Sequence, residues 1–511
     1  MTTPPPGYLG AAGRVASGPA ASLVDTGYRL EIEDAGLLHR GLGLADLAHL
    51  HELEGIGVVP PAAAAALGSE LLVIHETPAD RFPYDAVYGD AYNSRERELE
   101  RRLGALAGWL HTGRTRREAG RIAFRIATRS SLLDLHDAVA RFGSSLTTLA
   151  RAQATAPWND TTYLQPAQPS TFGHYLSGFA EQVTRDLERI TVAHRLVNRS
   201  PAGVGGVAGS SIPLDRHRLS TALGFDEPAA HTRDAMWSVD WLTDVMVAAT
   251  QAVITADRLA EDLEIFASPQ FGYVVLSGSA TRASVLLPQK RNPYALAVIR
   301  GGAGTLIGRT TGVMVTQRTP SARTDNWLHA YGEVLRSVDL ARRLLILATD
   351  VVEGLEVDVR ALTASAGANF SISADLTERL VLDRGLDYRT AYRVVGRAVA
   401  DAVGSGGSHL EPGSLDRAAA ALGLGGIDDL DGVLAAVNDP AALAYGRDVA
   451  GGSAPSRVEA LCADVTRRIE ASGTWADRAR AEAAQAEHRI VETATRMWRG
   501  GADGGTDDRM P

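Results

Sequence analysis

The sequence predicts an all-α protein built on a long helical bundle, and three observations predict it. Between Pro228 and Pro269 there is no glycine or proline. Within that stretch Trp241, Leu242, Val245, Met246, Ala249, Val253, Ala256, Leu259, Ala260, Leu263 and Phe266 recur at helical spacing. A helix of up to about ten turns follows, against a usual mean of about three turns. The stretches Phe172–Val197 and Asp325–Val352 read the same way, with interior glycines such as Gly178 and Gly332. No stretch alternates apolar and polar residues as strands would, so very little β-structure is expected. Long helices side by side make a bundle. Their wide apolar faces are those of helices that also bury against other subunits.

The remaining elements follow in order. Residues 1 to about 22 are rich in Pro, Gly and Ala and read as a loose arm. Tyr28–Gly68 predicts short helices broken at Gly41, Gly43, Gly55 and Pro60–Pro61. Tyr84–Gly113 predicts a helix of mixed charge and leucine. From about Asn369 the pattern predicts short helices again, with breaks at Gly404–Gly407 and Gly451–Gly452. Gly500–Pro511 is Gly/Asp-rich and reads as disordered.

A chain of 511 residues is too long for one ordinary core, so two or three domains are expected. The division taken is an arm at 1–22, an N-terminal helical domain at 23–115, a bundle domain at 116–366, a C-terminal helical domain at 367–498 and a tail at 499–511. A net charge of -10 implies no basic face for nucleic acid. The single cysteine, Cys462, excludes an internal disulfide framework and a cysteine-rich metal site. The N-terminus has neither a basic start nor an apolar run, and no stretch reaches the roughly 20 apolar residues that span a bilayer. A soluble cytoplasmic protein is expected.

One basic residue stands apart. Of the 51 lysines and arginines only Lys290 is a lysine. Arginine presents a planar fork, lysine a compact ammonium on a flexible stem. A site that needs a point charge beside a small carboxylate tolerates only the second. Lys290 lies next to Gln289, Asn292 and Pro293, in a Ser/Ala/Arg-rich loop that leads into an apolar segment.

The segment Ala283–Pro293, ASVLLPQKRNP, closely resembles the signature loop of the argininosuccinate lyase/fumarase/aspartase superfamily. The family writes that loop roughly as Gly-Ser-Ser-x-Met-Pro-x-Lys-x-Asn-Pro. Pro288, Lys290, Asn292 and Pro293 match, and Ser284 falls on the first serine; Ala283, Val285 and Leu287 depart. Four further stretches resemble the argininosuccinate lyase branch in order: Leu110–Gly120, Thr161–Ile190 as a helix entry, Gly205–Pro228, and the C-terminal pair Ser373–Gly396 with Asp439–Pro455. The resemblance implies a three-domain, all-α homotetramer around a core of about 20 helices, five from each subunit. Its active sites would form where three subunits meet. It implies anti β-elimination from a succinyl-type substrate, giving fumarate by acid–base chemistry with no metal or cofactor. Ser284 would be the base, and Lys290 and Asn292 would hold a carboxylate of a small dicarboxylate substrate. Thr162, Gln165, Thr115, Arg116 and Arg117 would complete substrate binding.

The departures bear on the leaving group. Tyr163 stands where the family has a histidine, Tyr92 where it has another, and Arg117 where it has an asparagine. The family's Tyr-Asn-x-Asp-x-Gln-Glu-Asp-Lys segment is replaced by Thr319–Glu333, TPSARTDNWLHAYGE. The succinyl half of the site is therefore kept and the amine half rewritten, so argininosuccinate is not the expected substrate. The proton removed lies beside a carboxylate, and the doubly charged intermediate must be met by preorganised donors. Lys290, Asn292 and the N–H groups of a helix start at Thr162 are suited to that. A serine acts as base only if its alkoxide is stabilised and water is excluded. Tyr163 has a proton to give, but from a group whose ordinary pKa is about 10.

Two other readings stand beside this one. A retired enzyme kept as a tetrameric scaffold is favoured by the two lost histidines and opposed by Ser284, Lys290 and Asn292. Addition of an amine to fumarate uses the same site in reverse. Gly203-x-Gly205-x-x-Ala208 mimics a dinucleotide fingerprint without a preceding strand and is set aside. Ala471-Ser472-Gly473, the triplet that cyclises in aromatic ammonia-lyases, is attributed to chance. His174 is assigned to packing and Asp90 and Glu96 to structure; His111 precedes the arginine loop, and orienting that loop is its minority reading.

Overall fold

The computed structural model describes residues 18–319, 322–323 and 328–500. The expected arm up to residue 17, the tail from 501, and residues 320–321 and 324–327 of the rewritten stretch lie outside them. What is described is dominated by helix, with strands confined to short pairs. No described helix is long and apolar enough to cross a membrane.

The N-terminal helices are α1 (Ala35–Gly55), α2 (Pro61–Glu76) and α3 (Ala91–Leu103). Two expectations are corrected here. Gly41 and Gly43 do not break α1. A Cβ on Gly41 would lie 2.5 Å from the Ala123 Cα, so the glycine permits close helix contact rather than a turn. The helix expected over Tyr84–Gly113 is only α3, which stops where Gly104 turns to φ 58° and gives way to a 3-10 segment, Gly104–His111.

Five long helices make the centre: α4 (Arg116–Ala152), α5 (Phe172–Val197), α6 (Asp240–Phe266), α7 (Tyr294–Thr316) and α8 (Tyr331–Glu353). Helix α5 has the predicted bounds. Helix α6 is shorter than Pro228–Pro269 allowed, because Ser238 is extended and separates it from a short helix at Thr232–Trp237. Helix α4 packs on α5 and α8, and α6 packs on α5, α7 and α8. A hairpin of β1 (Pro157–Thr162) and β2 (Gln165–Thr171) links α4 to α5. Its base carries Trp158, which is fully buried with Phe172, Tyr175, Phe266 and Tyr273 set edge-on around it.

After the bundle, α9 (Ser373–Arg384), α10 (Tyr388–Gly404), α11 (Ser414–Ala421) and α12 (Leu430–Ala436) close a small core of their own around Leu376, Leu380, Val394 and Leu415. The expectation of short helices throughout the C-terminal third is corrected by α13 (Pro455–Trp498), a single helix of 44 residues. It runs through Gly473, whose cost of about 1 kcal/mol is small beside the Ala/Arg/Glu-rich residues around it. Its first half joins the bundle core through Val458, Cys462 and Val465. Its last turns join α1 and α2 through Ile490, Ala494 and Trp498.

Buried arginines along α4 tie the surrounding loops to the bundle. Arg121 donates from Nε to the Met236 carbonyl at 3.0 Å. Arg125 donates to the Leu196 and Val197 carbonyls at 3.0 and 3.1 Å, capping the last turn of α5, and stacks on Trp241. Arg129 donates to Asn198 Oδ1 and to the Leu223 and Gly224 carbonyls and stacks on Phe225. Spaced four residues apart, the three share one face. Burial lowers Arg125 and Arg129 only to about 10, so both stay charged at neutral pH.

On the same helix, the buried Glu118 carboxylate accepts N–H bonds from Gly203 and Gly205, each at 2.7 Å. The glycines of the apparent dinucleotide motif thus cradle an internal carboxylate. Both have positive φ, and a Cβ on Gly205 would meet the Gly209 carbonyl oxygen at 2.7 Å.

Two outcomes are expected. Trp158→Ala should cost about 3–5 kcal/mol, read from denaturant unfolding. Burial raises the Glu118 carboxyl to about 7, against the opposing pull of the Gly203 N–H and Arg114. A raised folded-state pKa gives a contribution that is whole below the unfolded value and is lost as pH rises through about 7. The Tm advantage of the parent over Glu118→Gln should therefore be larger at pH 5 than at pH 8. An equal gap at both would remove this assignment.

Candidate functional site

The signature loop is a short hairpin. Strands β3 (Arg282–Ala283) and β4 (Arg291–Asn292) pair antiparallel, so residues 284–290 form its loop. Its stem is pinned three ways. Asn292 Nδ2 donates to the Arg282 carbonyl at 2.9 Å. Arg291 donates to the Leu276 carbonyl at 2.8 Å. The Arg282 guanidinium lies over the Tyr294 ring, 5.0 Å from its centre. Within the loop, Ser284 Oγ accepts the N–H groups of Leu286 and Leu287 at 3.3 and 3.0 Å. The Val285 and Leu286 side chains are 108 % and 82 % exposed, two apolar groups with nothing packed on them in one chain. The exposed Lys290 ammonium makes no hydrogen bond or ion pair among the described residues. Helix α7 starts at Tyr294, two residues after Asn292, and its N-terminal end favours negative charge there.

The second cluster is the tip of the β1–β2 hairpin. Thr162 pairs with Gln165 across a two-residue turn of Tyr163 (φ 55°) and Leu164 (φ 59°). A turn with both central residues left-handed normally takes Asn-Gly. Tyr163 is 98 % exposed, and Thr162 and Gln165 are exposed beside it. The expectation that Thr162 stands at a helix start is corrected. Pro166 and Pro169 cannot supply helical N–H groups, and α5 begins only at Phe172, capped by Thr171.

The third cluster is the start of α4. Thr115 caps the helix, its Oγ1 accepting the Glu118 N–H at 3.3 Å. Arg116 donates to Asp90 Oδ2 at 2.6 Å, while Asp90 also caps α3. Arg117 forms a two-point pair with Glu31 at 2.8 and 3.2 Å. Beneath them the buried Asp46 receives both Arg95 and Arg114. Tyr92 is buried, its hydroxyl near His111 Nδ1 (3.2 Å), and burial raises it to about 12. At the position of the second lost histidine, the tyrosine is thus part of the core. A cavity opens beside Arg116 and Arg117, walled also by Glu31, Asp34, Asp90 and Tyr331. Glu31 and Asp34 carried no signal in the sequence, because Glu31 meets Arg117 across 86 residues of chain.

The structure therefore brings Ser284, Lys290 and Asn292 into one hairpin, Thr162, Tyr163 and Gln165 into another, and Thr115, Arg116 and Arg117 to one helix start. No described hydrogen bond or ion pair joins any two of these clusters. His174 bonds the Gly451 carbonyl, and Ser472 of the chance triplet, on α13, bonds His136 of α4.

Comparison with known proteins gives a consistent outcome. Residues 51–308 match the family described as "Lyase". Argininosuccinate lyase 1 of Mesorhizobium japonicum is 31% identical over 390 residues, covering 76% of this chain and 83% of that one. Argininosuccinate lyase of Methanoculleus marisnigri is 29% identical over 460 residues, covering 88% and 91%. A solved EDDS lyase variant with bound fumarate has the same fold, with a TM-score of 0.84 at 22% identity over 98% of this chain and 100% of that one. The chain therefore belongs to this lyase family, within the fumarase/aspartase superfamily, as a homologue of argininosuccinate lyase.

Proposed function

We propose that the protein is a carbon–nitrogen lyase that removes a group from a succinyl-type substrate by anti β-elimination and releases fumarate, the substrate being other than argininosuccinate. The observation that carries this is Ser284 Oγ under the N–H groups of Leu286 and Leu287. A serine that must give up its proton needs donors on its oxygen, and here its own loop supplies two. The unpaired Lys290 ammonium, six residues on, adds positive charge to the same hairpin. Asn292 uses one amide N–H on the stem and keeps its Oδ1 free of protein partners. The bound fumarate of the EDDS lyase variant is consistent with this product class.

The site is completed by other copies of the chain. Helix α7 supports this. Its exposed face carries Ala297, Val298, Gly301, Gly304, Thr305, Ile307, Gly308, Thr311, Gly312, Met314 and Val315, without one charge. Thr305 and Thr311 turn their hydroxyls back to the carbonyls of Gly301 and Ile307 and so present methyl groups. The two arginines of α7, Arg300 and Arg309, turn to carboxylates of the neighbouring helices, Glu261 and Glu333, and the uncharged apolar face that is left belongs against a partner. In a homotetramer the signature hairpin, the β1–β2 tip and the α4 start of three subunits would meet around one dicarboxylate. Two non-glycine residues held left-handed at the tip cost of order 1–3 kcal/mol each, as strain kept at functional sites does. Tyr163 would hydrogen-bond or protonate the leaving group, Thr162 and Gln165 would hold the succinyl half, and Arg116 would take a carboxylate after exchanging Asp90. Thr115 positions Arg116, and Arg117 is committed to Glu31 in the single chain.

Fumarate release from a panel of N-succinyl compounds and nitrosuccinate tests the proposal. Ser284→Ala should lower kcat by about 10²–10⁴ with the oligomer unchanged in sedimentation. Silence of the parent across the panel, with normal folding, would favour the second reading, a scaffold, which Tyr163 and Tyr92 at the histidine positions support. Tyr163→His should gain most on leaving groups that need a proton and least on one as weakly basic as nitrite. Matching profiles for variant and parent would exclude a role for Tyr163 in proton supply.

A further inference from the structure

A second pocket lies between α4, the C-terminal end of α5 and the middle of α13, with a volume of about 450 Å³. None of the three clusters described above reaches it. Its floor is Arg129, which is 5 % exposed. All the described hydrogen bonds of Arg129 go to neutral oxygens, from its two terminal nitrogens. No carboxylate lies within ion-pair distance of it among the described residues, and its Nε–H meets no protein acceptor. Beside it His194 is 6 % exposed, stands edge-on to Trp475, and has its Nε2 buried with no hydrogen-bond partner. Arg195 and Arg478 line the mouth, and neither forms an ion pair or side-chain hydrogen bond among the described residues. In a chain where arginines are commonly matched to carboxylates, three unmatched guanidinium groups meet at one concavity.

Two carboxylates also line it. Asp226 accepts the Asn198 amide at 2.8 Å, and Glu482 sits on α13. Three guanidinium groups exceed two carboxylates, and the deepest charge, Arg129, is positive and without a counter-ion in contact. A buried unpaired cation is costly and draws an anion into adjoining solvent space. Guanidinium forks match planar or tetrahedral oxyanions.

We propose that this pocket binds a small oxyanion, a carboxylate or a phosphate, between Arg129, Arg195 and Arg478, with Trp475 as its wall. Occupancy would fasten α13 to α4 and α5. The site is independent of the elimination reaction proposed above.

Calorimetric titration of the full chain with inorganic phosphate, and separately with malonate, at fixed ionic strength tests this. Saturable binding of one equivalent per chain is expected for at least one of the two, and the arm that binds identifies the class. The double variant Arg195→Ala, Arg478→Ala should bind about tenfold or more weakly. Both residues are exposed and without side-chain partners, so folding should be kept; circular dichroism checks it. Trp475→Phe should keep the binding heat and lose any ligand-induced fluorescence change. No saturable heat from either anion up to about 10 mM would overturn the proposal. So would equal binding by the double variant.

Discussion

The bundle is held to its loops by guanidinium groups buried along one helix. Arg121, Arg125 and Arg129 reach from α4 to carbonyls at the end of α5, near Leu223 and in the short helix that holds Met236. Each such carbonyl would otherwise face the interior without a donor, at a cost of about 1–3 kcal/mol. A guanidinium carries five N–H groups in a fixed fork and can satisfy two or three carbonyls at once. A lysine has a single ammonium to place. At these three positions the bracket geometry needs arginine. Trp241 lies against Arg125 and Phe225 against Arg129, and neither ring competes for the hydrogens that the carbonyls take.

The helical character was legible wherever the pattern was long and uninterrupted, as in α5. It was misread at Gly41 and Gly43, which were taken for punctuation. Gly41 serves the approach of α1 to α4 and does not end a helix. That fact depends on a partner distant in the chain, which local periodicity does not record. The hairpin at Pro157–Thr171 was equally hidden, because proline there argues against helix without declaring a strand.

The site was legible in kinds of residue and not in their arrangement. Ser284, Lys290 and Asn292 are neighbours in sequence, and the hairpin they share follows from short range alone. That Arg116 and Arg117 would meet Asp90 and Glu31 does not, since each pair is closed by tertiary packing. The three clusters remain apart in one chain, and the uncharged face of α7 gives the physical reason to expect them joined across copies.

The last turns of α13 lie in the same apolar cluster as α1 and α2, with the Trp498 indole donating to Glu54 at 2.8 Å. Helices α1 and α2 therefore complete their core only with residues of α13, whose Trp498 lies 444 positions along the chain from Glu54. Until α13 is made, the part of that cluster which Ile490, Ala494 and Trp498 fill stays open to water or to a chaperone. Folding of the amino-terminal layer is thereby timed by the carboxyl-terminal helix, and a nascent chain halted before Trp498 would present a sticky surface rather than a finished unit.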